Sequence, residues 1–569
     1  MDVQSAFTFV DFLIFGLFLA LSLGIGAYHG WQSRRIRLNS KSEDAATSEF
    51  LMGGRKMPVL PVSLSLLTTF LSGITMLGTP AQIYQKGLLF WVYYMMAPLV
   101  FVFSAIFFLP IFFKLGLTSI YEYFQLRFDS VLLRQLAAGL FLINTVFYMS
   151  VVLYAPSVAL SRVTNLSTWP FILVVGVSCT CYTSIGGLKA VVWTDTLQAA
   201  FMYAGVITLI VKATVEAGGV AKVFEIALDT QRVAALARID PNPAQYNSLW
   251  ISMFGAFGLW MSLYGLNQMA LQRYCSLSSL RDAKMVVAIT IPCFIILGTL
   301  ACYIGVVMLA YFLQHGGDPL LSGQAKNGDQ LVILFANNVL GSVPGLPGLF
   351  LACLFSSTLS TISSGMNSMA AVTWEDFVRH HLGHRISDQN AAKLNKFMVL
   401  LFGMVAIGLA FLAGPMGGII QASITVMGAL SGPLIGLFFF GIFIPHASRR
   451  AALLALISAS AFNLFLCLGS FVTKPYDGYS LPTENFTSPS SLDFDPHYGN
   501  PKVFYLFRIS GFLYPLVGLL LTVLIGSLAS FFLPDREESK KEGKELTFCK
   551  RIEKVAPATM ATSQTDTPV

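Results

Sequence analysis

Apolar residues fill this chain in long blocks, parted by short polar segments that carry nearly all of its charge. Stretches free of Asp, Glu, Lys and Arg run over Met57–Gln85, Gly87–Phe113, Gln135–Ser161, Leu249–Gln272, Gln330–Trp374 and Phe397–Ser448. A helix needs about 20 such residues to cross a bilayer. The last two stretches each hold two spans, or one span plus a re-entrant piece. A membrane β-barrel would instead show short alternating segments. Hydropathy and helix breakers together predict an all-α polytopic protein. Its thirteen spans fall at 9–29, 58–80, 88–112, 135–160, 169–185, 190–211, 249–271, 285–313, 345–372, 397–413, 418–445, 451–472 and 509–533. They make one transmembrane domain over 1–533. The remainder, 534–569, is charged and then Thr/Ala-rich, and reads as a disordered cytoplasmic tail.

Charge fixes the expected orientation. Of the 36 lysines and arginines, 26 fall in alternate loops that the positive-inside rule makes cytoplasmic, leaving the N-terminus outside and the C-terminus inside. The net charge of +7 is thereby explained as membrane bias, and nucleic-acid binding loses its support. The sequons at Asn165 and Asn485 both fall in loops expected outside, so both are candidate glycosylation sites. The first residues lack a basic n-region and a cleavage site, so they read as a first span. The eight cysteines sit mostly in apolar runs and read as free thiols, with no spacing suited to a metal.

Three features carry chemistry. First, the second and seventh spans are interrupted in the same manner. Thr68, Thr69, Ser72, Gly73, Thr75, Gly78 and Pro80 break one; Gly255, Gly258, Gly265, Asn267 and Gln268 break the other. Small residues can serve helix packing alone. Paired breaks in corresponding positions instead suggest inverted repeats around a site at mid-membrane. Second, Ser357, Ser360, Thr361, Ser364 and Ser368 recur at spacings of three and four, so one helix face is lined with hydroxyls. Hydroxyls and carbonyls suit a hard cation such as sodium. Third, Asp195 lies within a span, where a carboxylate needs a partner, and Asp11 lies near the outer end of the first span. Lysine and arginine are absent from every expected span interior. An anionic solute would then be met by helix N-termini, hydroxyl donors or a bound cation.

Several longer segments, in order along the chain, resemble the sodium/solute symporter family: LTSIYEYFQLRF, VVLYAPS, GGLKAVVWTD, SLYGLNQMALQRY, TLSTISSGMNSMAAVTWED and QASITVMGALSGPLIG. The likeness covers about residues 8–530 and is nearest to the branch of iodide, multivitamin and monocarboxylate symporters. FLSGITMLGTPAQIYQKG most resembles the monocarboxylate carriers. Iodide carriers have glutamine, and sugar carriers histidine, at the position of Thr75. The resemblance implies a LeuT-like fold of two inverted five-helix repeats, with one span before and two after. It also implies a sodium site formed by carbonyls of Thr68, Leu71 and the neighbourhood of Ser357 with hydroxyls of Ser360 and Thr361. Asp195 and Gln198 would lie beside that site or on its cytoplasmic exit. Thr69, Ser72, Thr75, Tyr148, Trp260, Gln268 and Ser423 are carried over as solute-cavity or second-sodium positions, although Trp260 and Tyr148 suit plain packing as well.

The expectation is a plasma-membrane sodium-coupled symporter of a small organic anion, with a monocarboxylate such as lactate, pyruvate or a short-chain fatty acid first. Biotin, pantothenate or an inorganic anion is the alternative within transporters; a solute-gated channel or a transport-dead sensor is the alternative outside them. No enzymatic chemistry and no cofactor beyond coupling sodium are expected. His380, His381 and His384 form an HHLGH pattern that reads as a solvated patch. Thr567 and Val569 fit a C-terminal ligand for a PDZ protein.

Overall fold

The computed structural model describes residues 8–39, 45–164, 166–325, 328–382, 386–412, 419–476, 479–481, 483 and 496–534. Asn165, Asn485, His384, Cys549, Thr567, Val569 and all but the first residue of the expected tail lie outside these. No strand forms among the described residues.

Helix α1 (Phe9–Asn39) crosses first, followed by the short α2 (Ala45–Met52). The second span is two helices, α3 (Val59–Phe70) and α4 (Gly73–Lys86), bent by 55°. Next come α5 (Leu89–Met95), α6 (Ala97–Phe107) and α7 (Leu109–Leu115). Pro98 and Pro110 sit in the first turns of α6 and α7, where a missing N–H is tolerated. Helix α8 (Glu122–Phe128) leads into α9 (Val131–Thr164), then α10 (Thr168–Glu216) and α11 (Val220–Asp229). The seventh span is α12 (Leu249–Trp260), a π-helical turn at Met261–Gly265, and α13 (Gln268–Cys275), bent by 46°. Helices α14 (Leu280–Gln314), α15 (Gly328–Leu340), α16 (Leu346–Val372), α17 (Arg379–Leu382), α18 (Asp388–Ala410), α19 (Ile419–Phe443), α20 (Arg449–Thr473) and α21 (Tyr514–Phe532) complete the chain.

Among the described residues, ten helices are long and apolar enough to span, twelve with the two bent pairs. The 49-residue α10 counts there once, yet Gly187 (φ 60°, ψ −154°) divides it, which makes thirteen. Only glycine holds that backbone readily, and a Cβ on it would come within 2.5 Å of the Phe50 carbonyl oxygen. The turn expected at Gly186–Lys189 is therefore a one-residue reversal packed on α2, and Lys189 forms an ion pair with Glu49.

Helix α16 is the axis of the bundle: 89% of its membrane-length window is buried, against 28% for α1. Asp11 explains how α1 holds it. Its carboxylate accepts from the backbone N–H groups of Gly345 and Gly348 at 3.0 and 2.8 Å, so a fully buried acid caps the N-terminus of α16. Among the described residues, all seven cysteines are free thiols, five of them buried. His380 and His381 are exposed beyond α16.

One expectation needs correction. Arg273, which lies just past the span expected at 249–271 and counts among the 26 basic residues assigned to loops, does not sit in a loop. It lies in the last turn of α13, is fully buried, and pairs with Asp195. A long side chain carries its charge well inward of a backbone placed near the span end, which a residue count along the chain does not register.

Candidate functional site

The site starts where α3 stops. Leu71 (φ −89°, ψ 79°) and Ser72 (φ −83°, ψ 176°) leave the helix, and α4 restarts at Gly73. The last turn of α3 thus presents carbonyls that lack in-helix donors. Facing it is the hydroxyl stripe of α16, at most 1% exposed throughout. Ser360 donates to the Thr68 hydroxyl at 2.8 Å, and Thr361 donates to the Thr69 carbonyl at 2.9 Å and to the Ser357 carbonyl at 3.1 Å. Thr69 and Ser364 share a hydrogen bond of 3.1 Å. The start of α4 nearly touches α16 at Gly73, where a Cβ would lie 2.4 Å from the Thr358 hydroxyl oxygen. Thr68, Leu71, Ser357, Ser360 and Thr361 are therefore brought together by α3 and α16.

Asp195 reaches the same interface from the second half of α10, with Gln198 three residues further along that helix. Ser65, one turn before Thr68 and Thr69, donates to Asp195 Oδ2 at 2.5 Å. Arg273 completes the cluster from α13, 3.2 Å from the same oxygen, with further bonds to Ser65 (2.9 Å), Ser364 (2.5 Å) and the Met269 carbonyl (2.9 Å). Asp195 Oδ1 has no hydrogen-bond partner, although the Ser360 hydroxyl faces the carboxylate. Neither amide atom of the fully buried Gln198 has one either. Buried polar atoms left open are uncommon and mark places where an ion or water belongs. The oxygens present (two or more carbonyls, several hydroxyls, one carboxylate, one amide) are the donor set a hard cation such as sodium prefers.

On the α4 side, Ser72, Thr75 and Tyr148 gather around an aromatic box. Tyr148 faces Ser72 without closing a hydrogen bond, the Ser72 Oγ having no partner. Tyr94 faces Thr75 and bonds Thr79 at 2.6 Å. Trp260 stands against Tyr94, Tyr264 and Phe294 with ring centroids at 5.8, 6.0 and 5.0 Å. Its indole N–H donates to the Tyr93 carbonyl at 2.7 Å, so this ring is also anchored as a wall. Thr75 keeps intermediate exposure amid buried neighbours. Ser423 is buried in α19, which packs on α4. Gln268 is not brought to this box. Its amide donates to the Thr118 carbonyl at 2.6 Å and accepts from the Ile120 N–H at 2.8 Å, both between α7 and α8.

Sequence reasoning missed Arg273, Ser65, Tyr94 and Tyr264. The signal for Ser65 was its spacing of three and four from Thr68 and Thr69. The run Gln268, Gln272, Arg273 likewise places three polar groups within two turns of one short, otherwise apolar helix.

Comparison with known proteins bears on the family and the fold. The sodium:solute symporter family model matches residues 50–458. A sodium-dependent multivitamin transporter of Oryctolagus cuniculus is 37% identical over 497 residues, covering 86% of this chain and 76% of its own. Sodium-coupled monocarboxylate transporter 1 of Xenopus laevis is 37% identical over 492 residues (85% and 77%), and that of Homo sapiens 35% over 556 (94% and 89%). Among solved structures, a Na+-coupled sialic acid symporter in a substrate-bound outward-open state superimposes with a TM-score of 0.76 at 21% identity. It covers 93% of this chain and 99% of its own, and shows the shared LeuT-like fold. The chain belongs to the sodium:solute symporter family and is a polytopic membrane protein of sodium-coupled solute transport.

Proposed function

We propose that the chain imports a small monocarboxylate, of the size of lactate, pyruvate or a short-chain fatty acid, across the plasma membrane by sodium symport. The observation that carries this reading is the neighbourhood of the α3–α4 break. A hydroxyl-and-carbonyl cluster suited to sodium on one side adjoins an aromatic box with Ser72, Thr75 and Tyr148 hydroxyls on the other. Aromatic walls favour a short apolar tail, and hydroxyl donors favour a carboxylate. The named monocarboxylate and multivitamin relatives support the same class.

In this reading, sodium lies between the carbonyls of Thr68, Leu71 and Ser357 and the hydroxyls of Ser360 and Thr361. Thr69, Ser72, Thr75, Tyr148, Trp260 and Ser423 line the solute side. Asp195 and Gln198 sit on the sodium exit path. Bound sodium favours the state open to the outside, and solute binding then permits the swing to the inside. Each positive charge moved gains about 2.3 kcal/mol per 100 mV of membrane potential. The Asn165 and Asn485 sequons would face outward in that orientation, and the Thr567–Val569 end would bind a PDZ protein within.

The test is a panel of labelled solutes, offered in sodium and in choline buffer with current recorded. Saturable, sodium-dependent lactate or butyrate accumulation is expected. Preference for biotin or pantothenate would transfer the chain to the vitamin class, and currents far above carrier turnover without accumulation would make it a channel.

A further inference from the structure

Helix α13 is eight residues long, and three of its side chains are polar and fully buried: Gln268, Gln272 and Arg273. Each grips a different part of the molecule. Gln268 binds backbone on both sides of Ser119, through the Thr118 carbonyl and the Ile120 N–H. Gln272 donates to the Leu51 carbonyl of α2 at 3.3 Å, and its carbonyl oxygen accepts from Ser368 at 2.7 Å and Asn367 at 3.4 Å on α16. Arg273 holds Ser65 on α3, Asp195 on α10 and Ser364 on α16. The Gln268 contact is extended by Ser119, which donates to Asp376 at 2.6 Å, and Asp376 pairs with Arg134 of α9 at 2.5 Å.

Such an arrangement is costly unless it serves something. A structural plug of this size is better built from leucines, which need no partners when buried. Amide bonds differ in one respect: when the elements part and water enters, both partners are rehydrated, so the net cost of opening stays small. Three polar grips on a short half-helix beyond a break give a contact that is specific when shut and cheap to release.

We propose that α13 is a polar-latched gate on the face of the transporter that the lysine and arginine bias makes cytoplasmic, with Gln272 as the gating residue that joins it to α16. The inference rests on the alternating-access reading, though on no particular solute. Gln272 touches neither the sodium cluster nor the aromatic box; it acts by holding α13 against the Asn367–Ser368 step of the hydroxyl-lined helix. Release at Gln272 frees the end of α13 next to Arg273, so opening of the gate and loosening of the Asp195 pair occur together.

The test uses full-length protein in vesicles of each orientation, with Thr75→Cys as reporter and a charged, membrane-impermeant thiol reagent as probe, in the absence of solute. The parent with native cysteines is labelled in parallel. Gln272→Leu is expected to speed labelling from the α13 face by about tenfold, the effect of losing its two bonds to α16, and to slow it from the opposite face. Ser368→Ala removes the shorter bond from the α16 side and should shift labelling the same way, by less. Added to Gln272→Leu it should contribute little, because the bond is already gone. Unchanged labelling from both faces in Ser368→Ala, or in Gln272→Leu delivered to the membrane in parental amount, overturns the latch. Failure of the monocarboxylate panel would leave this readout untouched.

Discussion

Replacing Thr361 with alanine tests the sodium cluster most directly. The substitution removes one hydroxyl that now donates to the Thr69 carbonyl at 2.9 Å and to the Ser357 carbonyl at 3.1 Å, at a position with no solvent exposure. Two effects follow. The fold loses a net hydrogen bond or so, about 0.5–1.5 kcal/mol, plus a methyl group's packing. Sodium loses one of five proposed oxygens. An interaction with a charged group contributes about 1.5–3 kcal/mol, so half-saturating sodium should rise by roughly 10–150-fold. Thr361→Ser keeps the oxygen and should stay within a few-fold of the parent, which separates ligand loss from packing loss. Linkage adds a second signature: half-saturating solute should worsen at limiting sodium and recover when sodium is raised. The assay is initial uptake of the preferred solute across a sodium series, with choline as replacement and surface protein quantified. Parental sodium dependence in Thr361→Ala would refute the assignment.

Two further substitutions test the supporting structure. Asp195→Asn leaves Arg273 buried without its counter-charge, and stability should fall by about 3–5 kcal/mol; Arg273→Met in the same chain should restore most of it. Thermal unfolding of detergent-solubilised single and double variants gives this coupling, and additive losses would mean the two side chains are independent. Gly187→Ala should destabilise by at least about 1–3 kcal/mol, since alanine is strained at φ 60° and ψ −154° and its methyl meets the Phe50 carbonyl. A parental unfolding midpoint would show that the α10 reversal relaxes without cost.

The fold was legible because membrane burial writes itself into hydropathy. Uninterrupted apolar stretches marked the spans, and the gap at 186–189, with Gly186, Gly187 and Lys189, enclosed the reversal that falls at Gly187 within α10. The breaks at Leu71–Ser72 and Leu266–Asn267 were legible for a different reason: helices that stop inside a membrane need small or polar residues there. The hydroxyl face of α16 followed from spacing alone. What stayed hidden was pairing across the bundle. Nothing along the chain tells that Asp11 caps α16, 334 residues away, or that Asp195 meets Arg273. Gln268 shows the complementary failure. A glutamine at a helix break suggested a ligand contact, whereas both ends of its amide bind the 118–120 backbone.

Arg273 also changes the charge argument for coupling. With Asp195 as an isolated carboxylate, sodium at the α3 break would find its neutralising partner in the protein, and an anionic solute would add little. The ion pair removes that partner. Sodium bound as proposed would enter a cluster whose nearest full charges already cancel, so its own charge would remain for the solute. Two opposite charges about 5 Å apart attract by about 3 kcal/mol at an effective dielectric constant of 20, which corresponds to a mutual affinity gain of roughly 100-fold. The same reasoning separates two roles that the sequence had merged. On the proposed reading, carbonyls and hydroxyls of α3 and α16 would bind sodium while leaving it electrostatically unsatisfied, and an anionic solute would satisfy it. Asp195 is paired with Arg273, and with the proposed gate it would become an attractive acid for sodium only once α13 moves. Directional release then follows from chemistry already in place. If α13 opens as proposed, Arg273 would loosen, Asp195 would be exposed and sodium would be drawn away from the solute, so the event that unlocks the inner face would also dissolve the pairing of the two cargoes.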